Sequence, residues 1–266
     1  MKVDVLKIVG KSQFTEVEYD NVEADIRKFL IRNFGHSSYY NEHRLTRIDY
    51  RYDVIISNPT FRKLIFHLFE KYTEKYGFKG KIKWGKDEND NPFKYETSQY
   101  HKSKSVEFII YSKNEERETK NEKLEVYEKN VIRYELRLRN DHLNGMTRSD
   151  KGKGRPKKLK EYFKDELYLE YMKKHIYPII GKGDYYKITK AEKIIENSHF
   201  TRKKREKLRA FLVKISEKGI DAPKKDLHEK THKKYLKDLE SLRINPVLIP
   251  KNRKDYPSFM KNPFTI

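Results

Sequence analysis

The chain has 266 residues, no cysteine, and a formal net charge of +21 from 61 Lys and Arg against 40 Asp and Glu. Disulfides, thiol catalysis and Cys-based zinc sites are thereby excluded, and apolar runs as short as 108–111 cannot make the roughly 20-residue helix that spans a membrane. The charge points to a polyanionic partner, nucleic acid before an acidic membrane surface, because releasing condensed counterions from phosphates rewards it.

The N-terminal residues include an acid and lack a long apolar block, which argues against a secretory signal and for the cytoplasm. Residues 3–10 read as a first strand. An amphipathic helix follows over 22–34, with Val22, Ile26, Phe29 and Leu30 on one stripe. Residues 46–53 alternate with period 2: Ile48, Tyr50 and Tyr52 on one face, Arg47, Asp49, Arg51 and Asp53 on the other. Asn58-Pro59 opens a second helix over 60–76, carrying Phe61, Leu64, Ile65, Leu68, Phe69 and Tyr72.

Residues 79–84 read as a strand ahead of a turn-rich stretch at 87–92. Over 105–113, Val106, Phe108 and Ile110 share one face, with Glu107, Ile109, Tyr111 and Lys113 on the other. The cleanest alternation is 132–139, where Ile132, Tyr134, Leu136 and Leu138 oppose Arg133, Glu135, Arg137 and Arg139. Strands with interposed helices predict an α+β fold, an antiparallel sheet with helices on one face, followed by a mostly α-helical C-terminal region. The expected organisation is a domain over 1–143, a basic linker or loop over 144–158 rich in Gly, Lys and Arg, and a helical region over 159–266. The helices of that last region are expected at 159–177, 190–197, 201–218 and 225–242, with an extended tail from Pro246.

A charged strand face alone usually means a solvated surface. If the three alternating strands are neighbours, however, Asp49, Asp53 and Glu135 converge beside Tyr111 and Lys113. Hard carboxylate oxygens suit Mg²⁺ or Mn²⁺, and a tyrosine phenolate beside such an ion can attack phosphorus, which is the chemistry of DNA nicking. The phenol titrates near pH 10 unperturbed, so a neighbouring cation has to favour its ionised form.

Four segments resemble the rolling-circle replication initiators of plasmids and filamentous-type phages. Val3-Asp4-Val5-Leu6-Lys7-Ile8-Val9-Gly10 is similar to the opening strand, and Leu45 to Asp53 resembles a T-R-hydrophobic-D-x-x-x-D motif. Phe108-Ile109-Ile110-Tyr111-Ser112-Lys113 with Glu116 resembles the nucleophile segment, and Arg133-Tyr134-Glu135-Leu136-Arg137-Leu138-Arg139 the R-x-E pattern. The resemblance covers about residues 1–142, and more loosely 239–250. It implies an origin-specific endonuclease and strand transferase in which Tyr111 becomes linked to the 5′-phosphate of the nicked strand, leaving a free 3′-OH, and later rejoins the displaced strand. It makes Asp49, Asp53 and Glu135 metal ligands, Glu116 a weaker acidic candidate, and Lys113 the holder of the scissile phosphate or the phenolate. Implied partners are origin DNA, a host helicase and polymerase, and a second copy of the chain. Carboxylates would replace the His-hydrophobe-His metal motif of many nicking enzymes, and no second active tyrosine stands out among Tyr95, Tyr100, Tyr127 and Tyr134.

Arg47, Arg51, Arg133 and Arg137 are expected to contact DNA from the sheet. In the helical region, a basic helix carrying Arg202, Lys203, Arg205 and Arg209 after a short helix and the turn 197–200 reads either as a helix-turn-helix or as a solvated face touching phosphates. The competing function is a non-enzymatic DNA- or RNA-binding protein. Against it, carboxylates at 49, 53 and 135 would repel phosphates. A tyrosine recombinase lacks its His-x-x-Arg partner here.

Overall fold

The computed structural model of the chain describes residues 3–5, 15–70, 79–81, 84–86, 89, 91–94, 97–102, 105–150 and 153–264. Helix α1 (Tyr19–Phe34) buries Tyr19, Val22, Ile26 and Leu30 and stops at Gly35, whose φ of 78° only glycine adopts readily. A short helix, α2 (Tyr39–Glu42), leads to strand β1 (Arg47–Ile55). Helix α3 (Pro59–Glu70) starts with a proline at its first turn, where no N–H is missed, and the side chain of Asn58 accepts from the Phe61 amide at 3.2 Å.

The short strands β2 (Lys79–Lys81), β3 (Trp84–Lys86), β4 (Pro92–Lys94) and β5 (Ser98–Lys102) precede β6 (Val106–Ser112), and β6 runs straight into helix α4 (Lys113–Thr119). Strand β7 (Val131–Arg139) similarly runs into α5 (Asn140–Met146). Helices α6 (Leu159–Tyr162), α7 (Asp165–Tyr171) and α8 (Tyr177–Ile180) follow, then β8 (Tyr185–Tyr186), α9 (Ile188–Glu196), α10 (Arg202–Lys218), α11 (Glu229–Ser241) and β9 (Phe259–Met260).

Five strands form one sheet in the order β1-β7-β6-β5-β2, and β3-β4 and β8-β9 form two-stranded sheets. The sheet is antiparallel. Going up β1 through Asp49, Asp53 and Ile56, the partners descend through Arg137, Arg133 and Asn130. Across β6 and β7, Arg139 N–H donates to Ser105 at 3.1 Å while Tyr111 meets Glu135. The fold is the α+β class expected, with a helical C-terminal part.

The chain divides into two compact units. The first holds Met1–Tyr50, Lys104–Glu107 and Leu136–His175, and the second Arg51–Ser103, Phe108–Glu135 and Ile176–Ile266. The first unit's core gathers Tyr19, Val22, Ile26, Leu30, Tyr40 and Phe163, and Tyr50 packs on Tyr168 and Tyr171 while donating to the Tyr162 carbonyl at 2.7 Å. In its glycine-rich basic stretch, residues 147–150 and 153–158 are loop. The loop is tied down: Leu45 N–H donates to Lys157 at 2.8 Å, and Leu159 N–H to the His43 ring at 2.9 Å. In the second unit the apolar face of β7 presents Tyr134, fully buried, against Phe69 of α3, Phe108 of β6 and Phe264. Helices α9, α10 and α11 bury Ala191, Ile195, Leu208, Phe211, Leu212, Ile215 and Leu239.

The alternation expected at 46–53, 105–113 and 132–139 is present as β1, β6 and β7. The strand expected at 79–84 is instead split into β2 and β3, which pair with β5 and β4 respectively. Of the strand expected at 3–10, residues 6–10 lie outside the described residues, and 3–5 carry no strand. Residues 71–76 of the expected second helix and part of the 87–92 turn also lie outside them. Among the described residues no helix is long and apolar enough to cross a membrane.

Candidate active site

Strand alternation places Tyr111 on the face of β6 opposite Phe108 and Ile110, and Glu135 on the matching face of the adjacent β7. The phenol donates to Glu135 Oε1 at 2.6 Å. Burial, above all, pushes the Tyr111 hydroxyl well above the usual phenol range; the negative charge of Glu135 pushes the same way, and Arg133 pulls against both. At rest, therefore, Tyr111 is a protonated phenol whose hydroxyl points at Glu135.

Arg133 comes from the same strand face, two residues before Glu135. Its guanidinium grips Asp53 in a two-pronged contact of 2.8 and 2.9 Å, and Arg51 stands 3.7 Å from the same carboxylate. The pair is largely sequestered from water, with Arg133 only 7% exposed. Tyr111, Glu135, Asp53, Arg51 and Arg133 all belong to the second unit.

Lys113 opens helix α4, one residue past the strand end. It is buried, at 3% exposure. Its ammonium meets Glu116 at 2.6 Å and Glu128 at 3.2 Å and lies 5.7 Å from the centre of the Tyr111 ring. Two carboxylates thus already hold it, and the same contacts tie the start of α4 to the turn that carries Glu128. Glu128, in the single turn Val126–Glu128, also takes both prongs of Arg117 at 2.8 Å each. Burial raises the Glu128 carboxyl, but the hydrogen bonds from Arg117 and Lys113 outweigh it and hold the group at about 2. Nothing in the sequence pattern singles out Glu128 or Arg117; a buried acid in a short irregular turn leaves no periodic signal.

Asp49, Arg47 and Arg137 belong to the first unit. Asp49 is paired with Arg47 and, at 3.3 Å, with Arg137. Glu107, expected on the charged face of β6, is completely buried there and held by Arg137 at 3.1 Å and by Arg139. Each carboxylate expected to ligate Mg²⁺ or Mn²⁺ is thus engaged: Asp49 and Asp53 with guanidinium groups, Glu135 with the phenol. Among the described residues no three metal-ligating side chains converge. As arranged, these residues do not form a donor set for such an ion.

In the helical region Arg202 and Lys203 are exposed, whereas Arg205 and Arg209 turn back onto Glu196 at the end of α9. The latter two, half-buried, thereby brace the turn between the helices. Compared with protein-family models and with curated proteins, the chain matches none.

Proposed function

We propose that this chain nicks one DNA strand by tyrosine transesterification, in the manner of a rolling-circle replication initiator. The observation that carries the reading is the 2.6 Å hydrogen bond from Tyr111 to Glu135, with the Arg133 guanidinium beside it. Glu135 accepts the phenolic proton as the Tyr111 oxygen attacks phosphorus. The new bond joins phosphorus to the tyrosine oxygen, the bond to the 3′-oxygen breaks, and the departing oxygen takes up a proton to become a free 3′-OH. The phosphodiester is conserved, so attack by a 3′-OH on the phosphotyrosine reverses the step and rejoins the strand. Arg133 supplies positive charge near the developing phosphorane, a contribution made in the transition state.

The arrangement supports an enzyme over a passive phosphate-binding surface, because a carboxylate placed to receive a phenolic proton weakens phosphate binding and assists nucleophilic attack. No step of this route runs through a metal ion. The experiment is incubation of the full chain with supercoiled DNA and separately with single-stranded DNA, each with Mn²⁺ and with chelator, followed by denaturing electrophoresis. A protein-linked 5′ end that disappears in Tyr111→Phe is expected. An adduct that persists in Tyr111→Phe rejects the assignment, and retarded DNA with no adduct under any condition favours the non-enzymatic binding protein.

A further inference from the structure

We infer that helices α9 and α10 form a duplex-reading module in which the outer face of α10, centred on Lys203, Glu206 and Lys207, lies in the major groove. Helix α9 ends at Glu196, the chain turns through Asn197–Thr201, and α10 begins at Arg202. Several bonds fix that turn. Ser198 donates to the Ile195 carbonyl at 2.6 Å, the Thr201 carbonyl accepts the Lys204 and Arg205 amides at 2.9 and 3.0 Å, and Lys204 sits 4.0 Å over the Phe200 ring. Arg205 and Arg209 both clasp Glu196 across the turn. Lys204 also pairs with Asp238 of α11 at 2.8 Å, and Phe211 packs on His232 and Tyr235, so a third helix backs the pair.

This bracing leaves one face of α10 clear. Leu208, Phe211, Leu212 and Ile215 point into the core, which turns Lys203, Glu206, Lys207 and Ala210 outward, all exposed. Lys203 and Lys207 have no acid partner among the described residues, and Arg202 pairs only with Glu206 on its own helix. The partner follows from the charge and the chemistry. A chain of net charge +21 attracts a polyphosphate, and a rigid helix offering donors from lysines, an acceptor from Glu206 and a small Ala210 matches the donor, acceptor and methyl pattern of base edges.

The test selects duplexes from a random-sequence pool using the full chain carrying Tyr111→Phe, so that cleavage does not intervene. The pool is expected to converge on one sequence. Lys203→Ala with Lys207→Ala should weaken binding to the selected duplex roughly 5- to 100-fold beyond any loss on a scrambled duplex. Lys203→Arg with Lys207→Arg keeps the charge and the exposed surface; it should retain affinity for scrambled duplex and change the sequence selected. A pool that never converges overturns the inference, as does a preference unchanged in both double variants. This inference rests on the nicking reading only for its choice of DNA: the single-stranded arm of the adduct assay, run with an intact Tyr111, tests the nicking reading without the duplex, so failure of one and failure of the other give different results.

Discussion

The charged faces of β1, β6 and β7 carry two side-chain clusters, one in each unit, drawn from the same alternation and almost the same residue types. In the first unit Asp49 and Glu107 are surrounded by Arg47, Arg137 and Arg139. In the second, Asp53 has Arg133 and Arg51, but Glu135 has a phenol. A carboxylate saturated by guanidinium groups is a counter-ion that keeps arginines in place, whereas one that accepts from a phenol has the placement that the proposed function asks of a base. On β6, three residues lie between Glu107 and Tyr111, so along one strand face an acid in the first cluster gives way to a phenol in the second.

Changes to the phenol and its base give the largest effects. Tyr111→Phe should abolish the covalent adduct, and Glu135→Gln should slow its formation by about 10²- to 10⁴-fold, read as single-turnover rates with saturating DNA. Because the folded state holds the Tyr111 proton above its ordinary range, the residual Glu135→Gln rate should climb about tenfold per pH unit through the alkaline range, a slope shallower in the parent protein. Equal pH profiles for the two would remove Glu135 from the role of base. In the first unit, Glu107→Gln should leave single-turnover nicking intact and lower the melting temperature; a loss of chemistry as great as in Glu135→Gln would erase the distinction between the clusters.

Next in size is Arg133→Ala, which strands a largely buried Asp53 and should cost about 3 kcal/mol in chemical denaturation. The double replacement Arg133→Met with Asp53→Leu should recover part of that stability without restoring nicking. Glu128 gives a comparable effect through pH. Its carboxyl is held at about 2 in the folded chain, below the ordinary value, so the unfolded chain binds the extra proton. Its contribution is complete above about pH 4.5 and is lost as pH falls toward 2, a drop of roughly 3 kcal/mol that Glu128→Gln should lack. Matching acid-denaturation curves for the two proteins would refute it. Smallest are the half-exposed guanidiniums: Arg47→Ala and Arg139→Ala should each reduce the salt slope of DNA binding by about one and alter maximal nicking little, as measured by titration at several salt concentrations.

Much of this was legible in the chain, and for a physical reason. Period-2 alternation in β1, β6 and β7 tells which side chains share a face, so Tyr111, Glu135, Asp53 and Arg133 could be grouped before any contact was known. Alternation is silent about which member of a face pairs with which. Asp49 and Asp53 read alike, yet each is claimed by its own arginines, and the expected metal cluster of three carboxylates dissolves into separate pairs. Burial of ions was equally hidden: Lys113 and Glu128 are polar residues that pattern reading assigns to water, and only the network of Glu116, Arg117 and Glu128 makes their burial tolerable. In the helical region, periodicity placed a basic helix at 201–218, but it could not reveal that Arg205 and Arg209 turn to Glu196.

Phe264 meets both Tyr134 and Phe69 in edge or tilted ring contacts, and those partners precede it by about half the chain or more. During synthesis, β7 and α3 leave the ribosome long before the ring that completes their core. Contacts so distant in sequence carry a high loop-closure cost, and the second unit cannot finish packing until they form. Tyr111 and Glu135 stand in that unit, so the sheet that carries them completes its packing only once Phe264 is in place.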